Sequence, residues 1–125
     1  MSKEIKLSKK IKATPEEIYI ALTNPFTIEL WSGEPAVMSE EPGSEFSMLG
    51  GSIIGRNLSF EANKEIRQAW YFGEDESQVT IRFFPEKTYT QVWVHHQDIP
   101  EEAYDDMLIG WKESYLESLK DFFEK

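Results

Sequence analysis

The chain opens on an alternation of period two. Ile5, Leu7 and Ile11 fall on one side and Glu4, Lys6, Ser8, Lys10 and Lys12 on the other, which predicts a half-exposed strand over residues 4–12. Thr14-Pro15-Glu16-Glu17 comes next. Thr14 can cap free amides, Pro15 suits the first helical position, and Glu17 completes a capping box. Ile18, Ala21 and Leu22 form the buried stripe of the helix so started. Pro25 disfavours helical geometry at Asn24 and ends it. A second short helix is expected from Phe26 to Trp31, stopping near Gly33.

The texture then turns to strands. Ala36 to Glu40 is a short strand candidate and Pro42-Gly43 a turn. Glu45 to Leu49 and Ser52 to Phe60 flank Gly50-Gly51 as a tight hairpin. After a turn at Ala62-Asn63-Lys64, the strand Glu65 to Phe72 puts Ile66, Gln68, Trp70 and Phe72 on one side. Gly73 to Ser77 is read as an acidic loop. Val79, Ile81 and Phe83 alternate through a strand ending at Pro85. In the last strand, Thr88 to Gln97, Val92, Val94 and His96 face inward, and Tyr89, Gln91, Trp93 and His95 face outward. One long amphipathic helix closes the chain, from Pro100 to Phe123, with Tyr104, Met107, Leu108, Trp111, Tyr115, Leu119, Phe122 and Phe123 at helical spacing.

About 24 residues of helix make a rod of roughly 36 Å. Seven strands at ~4.8 Å spacing are about as wide. One helix can therefore cross the whole concave face of a bent sheet. The expected fold is α+β: a curved antiparallel sheet of about six or seven strands around a long C-terminal helix, with short N-terminal helices. It forms one domain over residues 1–125. Such a wrap tends to leave an internal pocket.

Charge narrows the partners. The net charge of −10 and pI near 4.6 leave no basic stripe of the kind nucleic-acid binders show. An anionic membrane surface would repel the chain. Lys3, Lys6, Lys9, Lys10 and Lys12 alternate with apolar residues and read as the polar face of the first strand. Without cysteine there are no disulfides, thiolate nucleophiles or zinc–thiolate sites. No apolar run approaches ~18 residues and the N-terminus lacks a hydrophobic signal core. The expectation is a cytoplasmic protein with no membrane insertion. Aromatics at 14% exceed what a small core needs, so either a large-residue core or an aromatic-lined pocket uses them.

Several stretches carry a family resemblance. Phe46-Ser47-Met48-Leu49-Gly50-Gly51-Ser52-Ile53-Ile54-Gly55, followed by Asn63-Lys64-Glu65-Ile66 and Trp70, resembles the C-terminal domain of the activator of the ninety-kilodalton heat-shock chaperone ATPase. The opening from Ala13 to Pro25, the tract through Trp31 and the segment from Pro100 to Trp111 are similar to the same family. The resemblance covers nearly the whole chain. It implies the helix-grip (START-like, Bet v-like) fold of the SRPBCC superfamily. That superfamily holds lipid carriers, hormone receptors and polyketide cyclases, so fold alone leaves function open. A heat-shock chaperone is the implied candidate partner.

The candidate chemistry is sparse. There is no Gly-rich phosphate loop, no Gly-x-Ser-x-Gly elbow and no His-Glu-x-x-His. His95 and His96 are adjacent in a strand, so they point to opposite faces and cannot chelate one metal. His96 could meet a ligand or act as a general base; a core histidine bonded to its surroundings is the favoured reading. Arg56 shares parity with Ile54, Leu58 and Phe60. It is either a buried cation needing a partner or, across a bulge at Gly55, an exposed or salt-bridged one, which is favoured. Gln68 needs a hydrogen-bond partner, from a ligand or, preferably, from a neighbouring strand. Glu101, Glu102, Asp105 and Asp106 fit an ordinary acidic first turn. Gly110 costs about 1 kcal/mol relative to Ala within a helix. It admits close packing against the sheet, the favoured reading, or leaves ligand space.

No cofactor, metal or catalytic residue is expected. The first expectation is a non-enzymatic domain holding a small hydrophobic or amphipathic ligand between sheet and closing helix. The cavity-lining candidates are Trp31, Phe46, Met48, Gln68, Trp70, Phe72, Ile81, Phe83, Val92, Val94, His96, Met107, Trp111 and Tyr115. The alternatives are a protein-interaction domain that modulates a chaperone ATPase and a cyclase- or hydrolase-type enzyme using His96 with Gln68 or Arg56.

Overall fold

The structure, a computed structural model, describes residues 2–124. Strand β1 (Ser2–Ile11) buries Ile5 and Ile11 and turns Lys6 and Lys10 outward, whereas Lys9, expected on the same polar face, shares the parity of Ile5 and Ile11 and reaches Glu117 of the closing helix. The capping box forms as expected. Thr14 Oγ1 accepts from the Glu17 amide at 3.1 Å, and the Thr14 amide donates to the Glu17 carboxylate at 2.9 Å. It starts α1 (Pro15–Thr23). Asn24 then does two jobs: it ends α1, and its side-chain oxygen accepts from the Thr27 amide at 3.1 Å to cap α2 (Pro25–Ser32). After α2 come β2 (Glu45–Met48), β3 (Ile53–Glu61), β4 (Glu65–Phe72), β5 (Asp75–Pro85) and β6 (Thr90–Pro100). These six strands form one antiparallel sheet in the order β1-β6-β5-β4-β3-β2. The first strand thus pairs with the last, across the two inserted helices.

Four local expectations change. Ala36 to Glu40 is not a strand. Only Val37 bridges to Ser47, because neighbouring side chains hold the segment: Asn57 binds the Ser39 carbonyl and Tyr19 binds the Glu40 carboxylate. Gly73 to Ser77 is not an open loop. Gly73 takes φ 64, which permits a tight turn with Glu74, so Phe72 pairs with Asp75, and Asp75 and Glu76 join β5. Strand β6 runs past Gln97 to Pro100. Asp98 sits at φ 62 beside a register shift between Lys3 and Ile5, and this bulge turns Ile99 into the core.

The fourth change concerns the closing helix. It starts as a 3₁₀ turn (Glu101–Ala103) and continues as α3 (Tyr104–Ile109). It then widens into a π segment (Gly110–Tyr115) before α4 (Leu116–Glu124). The widened turn lets Trp111, Tyr115 and Leu116 all face inward, where each is 3% exposed or less.

The core lies between the concave face of the sheet and the helices. Helix α1 covers β5, with the Tyr19 and Phe83 rings edge-on at 6.2 Å. Helix α4 packs on α2 and β1, and Lys9 meets Glu117 at 2.9 Å along that seam. Trp111 stacks on Trp70 of β4, with ring centroids 4.7 Å apart. The Trp111 side of the helix is therefore turned toward the strands, as the helical spacing predicts. Burying a large apolar side chain this fully contributes roughly 1.5–3 kcal/mol.

Candidate functional site

Two polar chains run through the core, and both are closed. In the first, Trp70 Nε1 donates to Gln68 Oε1 at 2.8 Å and Gln68 Nε2 donates to Asn57 Oδ1 at 2.9 Å. Asn57 Nδ2 donates to Ser44 Oγ at 3.1 Å and to the Ser39 carbonyl at 3.2 Å. The Gln68 amide is thus satisfied by a neighbouring strand. Asn57, fully buried and central to this chain, was not among the sequence candidates.

In the second chain, Ser77 Oγ donates its one proton to the Trp70 carbonyl at 3.0 Å. The 2.7 Å bond between Ser77 Oγ and His96 Nε2 must then be donated by the imidazole. His96 Nδ1 in turn accepts from Trp111 Nε1 at 3.0 Å. His96 is therefore the neutral Nε2–H tautomer with both nitrogens occupied. Burial, followed by the charge of His95, pushes its pKa down to about 3. A second proton on Nδ1 would also point at the Trp111 N–H. This histidine is a structural hinge between β5, β6 and the closing helix, and has no free lone pair for base catalysis.

Arg56 lies on the outer face, with its guanidinium 3.4 Å from the Glu76 carboxylate. Residue parity in β3 runs through Ile53, Gly55 and Asn57 on the inner side, and a register shift follows Asn57. His96, Gln68 and Arg56 thus make no joint site. Arg56 is outside, and the two buried groups are committed to protein partners.

The open space lies elsewhere. A cleft of about 620 Å³ runs between the closing helix and the turn joining β2 to β3. Ser32 and Glu34, at the end of α2, bound it on one side with Leu49, Ser52 and Ile53 of the turn. On the other side it is walled by Asp106, Met107, Gly110, Trp111, Glu113, Ser114, Tyr115 and Ser118, and Trp70 of β4 contributes to the floor. The cleft exists because α3 and α4 lie along the β1 side of the sheet, away from β2. A Cβ added at Gly110 would meet nothing within 4 Å, so this glycine adjoins open space and not close packing against the sheet.

Among the cavity candidates, Trp70, Met107, Trp111 and Tyr115 line this cleft. The rest sit outside its lining. Phe46, Met48, Ile81, Phe83, Val92 and Val94 are buried core residues, and Phe72 is partly buried against that core. Gln68 and His96 belong to the two separate hydrogen-bond chains described above. Trp31 fixes α2 by donating from Nε1 to the Ala21 carbonyl at 2.7 Å, with its ring beside Tyr115 at 5.3 Å. Ser32, Glu34, Leu49, Ser52, Ile53, Ser114 and Ser118 belong to the lining and carry no sequence signal of it, because small polar residues read as ordinary surface and Leu49 and Ile53 read as ordinary core.

Among the described residues, Tyr115 is the buried side chain of the cleft wall whose polar end has no hydrogen-bond partner. It is 3% exposed, and burial pushes its phenol well above the ordinary range. Its hydroxyl makes no hydrogen bond among the described residues, whereas no buried side-chain nitrogen or oxygen there lacks a partner. The hydroxyl therefore keeps some contact with solvent.

No described helix is long and apolar enough to cross a membrane. Comparison with known proteins places the chain. A Dictyostelium discoideum protein described as an activator of 90 kDa heat shock protein ATPase homolog is 29% identical over 127 residues, which is 98% of this chain and 33% of that protein. A Mus musculus activator homolog 1 is 23% identical over 124 residues, 96% of this chain and 37% of that protein. The chain spans about a third of the length of these curated relatives. Among solved structures, an HSP90 activator from Plasmodium falciparum superposes with a TM-score of 0.89 at 22% identity, over 97% of this chain and 96% of that one. An Aha1 dimer from Colwellia psychrerythraea does so at 0.82 and 22%, over 98% and 96%. These structural likenesses establish the helix-grip fold. With residues 12–124 matching the family described as "Activator of Hsp90 ATPase homolog 1-like protein", the chain belongs to that family.

Proposed function

We propose that this chain acts as a single binding domain, 1–125, without enzymatic activity, which holds a small hydrophobic or amphipathic molecule in the cleft beside the closing helix. The observation that carries this reading is the cleft itself. Its volume of about 620 Å³ lies within the range of ordinary small-molecule sites, about 300–1,000 Å³. Trp70, Trp111, Met107, Leu49 and Ile53 supply apolar walls, and Tyr115, Ser52, Ser114 and Ser118 add polar groups to the lining. The cyclase or hydrolase alternative has no support, since neither His96, Gln68 nor Arg56 lines the space.

Native mass spectrometry of the chain purified from its own cytoplasm, with a thermal-shift screen of lipid-extract fractions, tests the reading. A retained mass or a stabilising fraction is expected, and Gly110→Leu should abolish it by filling the cleft. A chain that retains nothing and responds to no fraction would overturn the proposal.

A second reading, modulation of a heat-shock chaperone ATPase in the cytoplasm, is favoured by the family and by the names its relatives carry. Phe26 and Leu30, four residues apart on α2, are 76% and 71% exposed and offer an apolar contact face. Because the chain spans about a third of the curated relatives, their activity is not assumed for it whole. A pull-down with the same organism's chaperone, with Phe26→Ser and Leu30→Ser as controls, should show binding that the substitutions weaken. An ATPase assay should show a changed rate. Absence of both effects would end this reading.

A further inference from the structure

Charge distinguishes this cleft from a neutral lipid tunnel. Its rim carries three carboxylates, Glu34, Asp106 and Glu113, and its lining contains no Lys, Arg or His. None of the three forms an ion pair among the described residues, although other surface carboxylates such as Glu65, Glu117 and Glu124 do. The placement is two-sided. Asp106 and Glu113 flank Gly110 on the helix wall, i and i+7 across the π segment, about 10 Å apart along the axis. Glu34 stands on the opposite wall, where its Oε2 would lie 3.3 Å from a Cβ placed on Gly50. Deeper in, the Tyr115 oxygen has no hydrogen-bond partner among the described residues, and its ring lies beside Trp70 and Trp111. Low-dielectric walls concentrate a field of one sign.

We propose that the cleft selects molecules joining an apolar body to a positive charge, primary amines above all, and turns away carboxylate-headed molecules of the same length, such as free fatty acids. The apolar body occupies the Trp70–Trp111–Met107 floor. The ammonium group sits among the rim carboxylates, with the Tyr115 oxygen in reach as acceptor for an N–H. The inference deepens the ligand-binding reading above and rests on it.

The test uses the full chain and three probes of one length: octylammonium, octanoate and octyl glucoside. Binding is followed by quenching of the cleft tryptophans and by calorimetry. Octylammonium is expected to bind about tenfold or more tighter than octanoate, less so at high salt. The triple variant Glu34→Gln, Asp106→Asn, Glu113→Gln should remove that preference and leave octyl glucoside unchanged. A control triple far from the cleft, Glu41→Gln, Glu74→Gln, Glu86→Gln, changes the net charge equally. If it removes the preference as completely, the selectivity belongs to the whole acidic surface and the proposal is overturned. Tyr115→Phe should weaken octylammonium more than octyltrimethylammonium, which has no N–H to donate.

Failure of the two readings can be told apart. If Gly110→Leu blocks all probes while the charge variants change nothing, the cleft binds but does not select, and this inference alone falls. If no probe binds, or Gly110→Leu has no effect, the cleft reading falls with it. Should Gly110→Leu not fold, Ser52→Phe on the opposite wall serves the same purpose.

Discussion

His96 shows how a single residue can look catalytic and be structural. In the unfolded chain its imidazole takes up a proton below its ordinary value of about 6.5, whereas the folded site resists until about 3. Between those values the unfolded state binds more protons. The stability tied to neutral His96 is present above about pH 6.5 and is lost as pH falls through that window, at a limiting slope of about 1.4 kcal/mol per pH unit. Imidazole ¹⁵N spectra should show a proton on Nε2 and no titration of this ring down to about pH 4. A midpoint near 6.5 would contradict the bonding scheme. Asn57 makes the complementary point. Asn57→Ala would leave the Gln68 amide and the 39–44 segment without their partner, and should cost about 2–4 kcal/mol in urea denaturation. The sequence offers no hint of Asn57. The apolar residues Ile54, Leu58 and Phe60 suggest an inner face on the other parity, and a one-residue register shift after Asn57 reverses which side faces in.

Elements differ in how much of them is local. The capping box, the double use of Asn24-Pro25 and the alternation of β5 and β6 follow from neighbours a few residues apart, and all three are legible in the sequence. The π segment is not, because its cause is the need to seat Trp111 on Trp70 and Tyr115 on Trp31 at once. Two glycines test this distinction. A Cβ at Gly55 would fall 2.0 Å from the Ala69 carbonyl oxygen and 3.0 Å from the Phe46 ring. Gly55→Ala should therefore destabilise by about 3 kcal/mol or more, or leave the protein insoluble. Gly110→Ala meets open space and should raise stability by up to about 1 kcal/mol. Paired thermal melts check both. Equal effects would mean that the helix–sheet spacing differs from that described here.

At the scale of the whole molecule the acidic balance matters most. A net charge of −10 on a small chain means self-repulsion in the compact state. Raising the salt from low to physiological concentration screens it and should raise the thermal midpoint. A midpoint that falls with salt would indicate that surface ion pairs such as Lys9–Glu117 outweigh the repulsion. The same charge sets the field at the cleft mouth, so ligand preference and salt response belong to one electrostatic picture.

Hydrophobic periodicity, caps and turn residues already specify the central parts of most strands, the two short helices and the inward face of the closing helix, since each depends on residues within one or two turns of chain. Family membership is carried the same way, by motifs in order. What lines the cleft is another matter. Glu34, Leu49, Ile53, Tyr115 and Gly110 come from segments far apart in the chain and meet only because α3 and α4 settle toward β1, leaving the β2–β3 side open. That offset depends on how whole surfaces pack, on the widened turn and on two saturated hydrogen-bond chains. No local pattern encodes it, and folding alone decides which aromatics are walls and which are core.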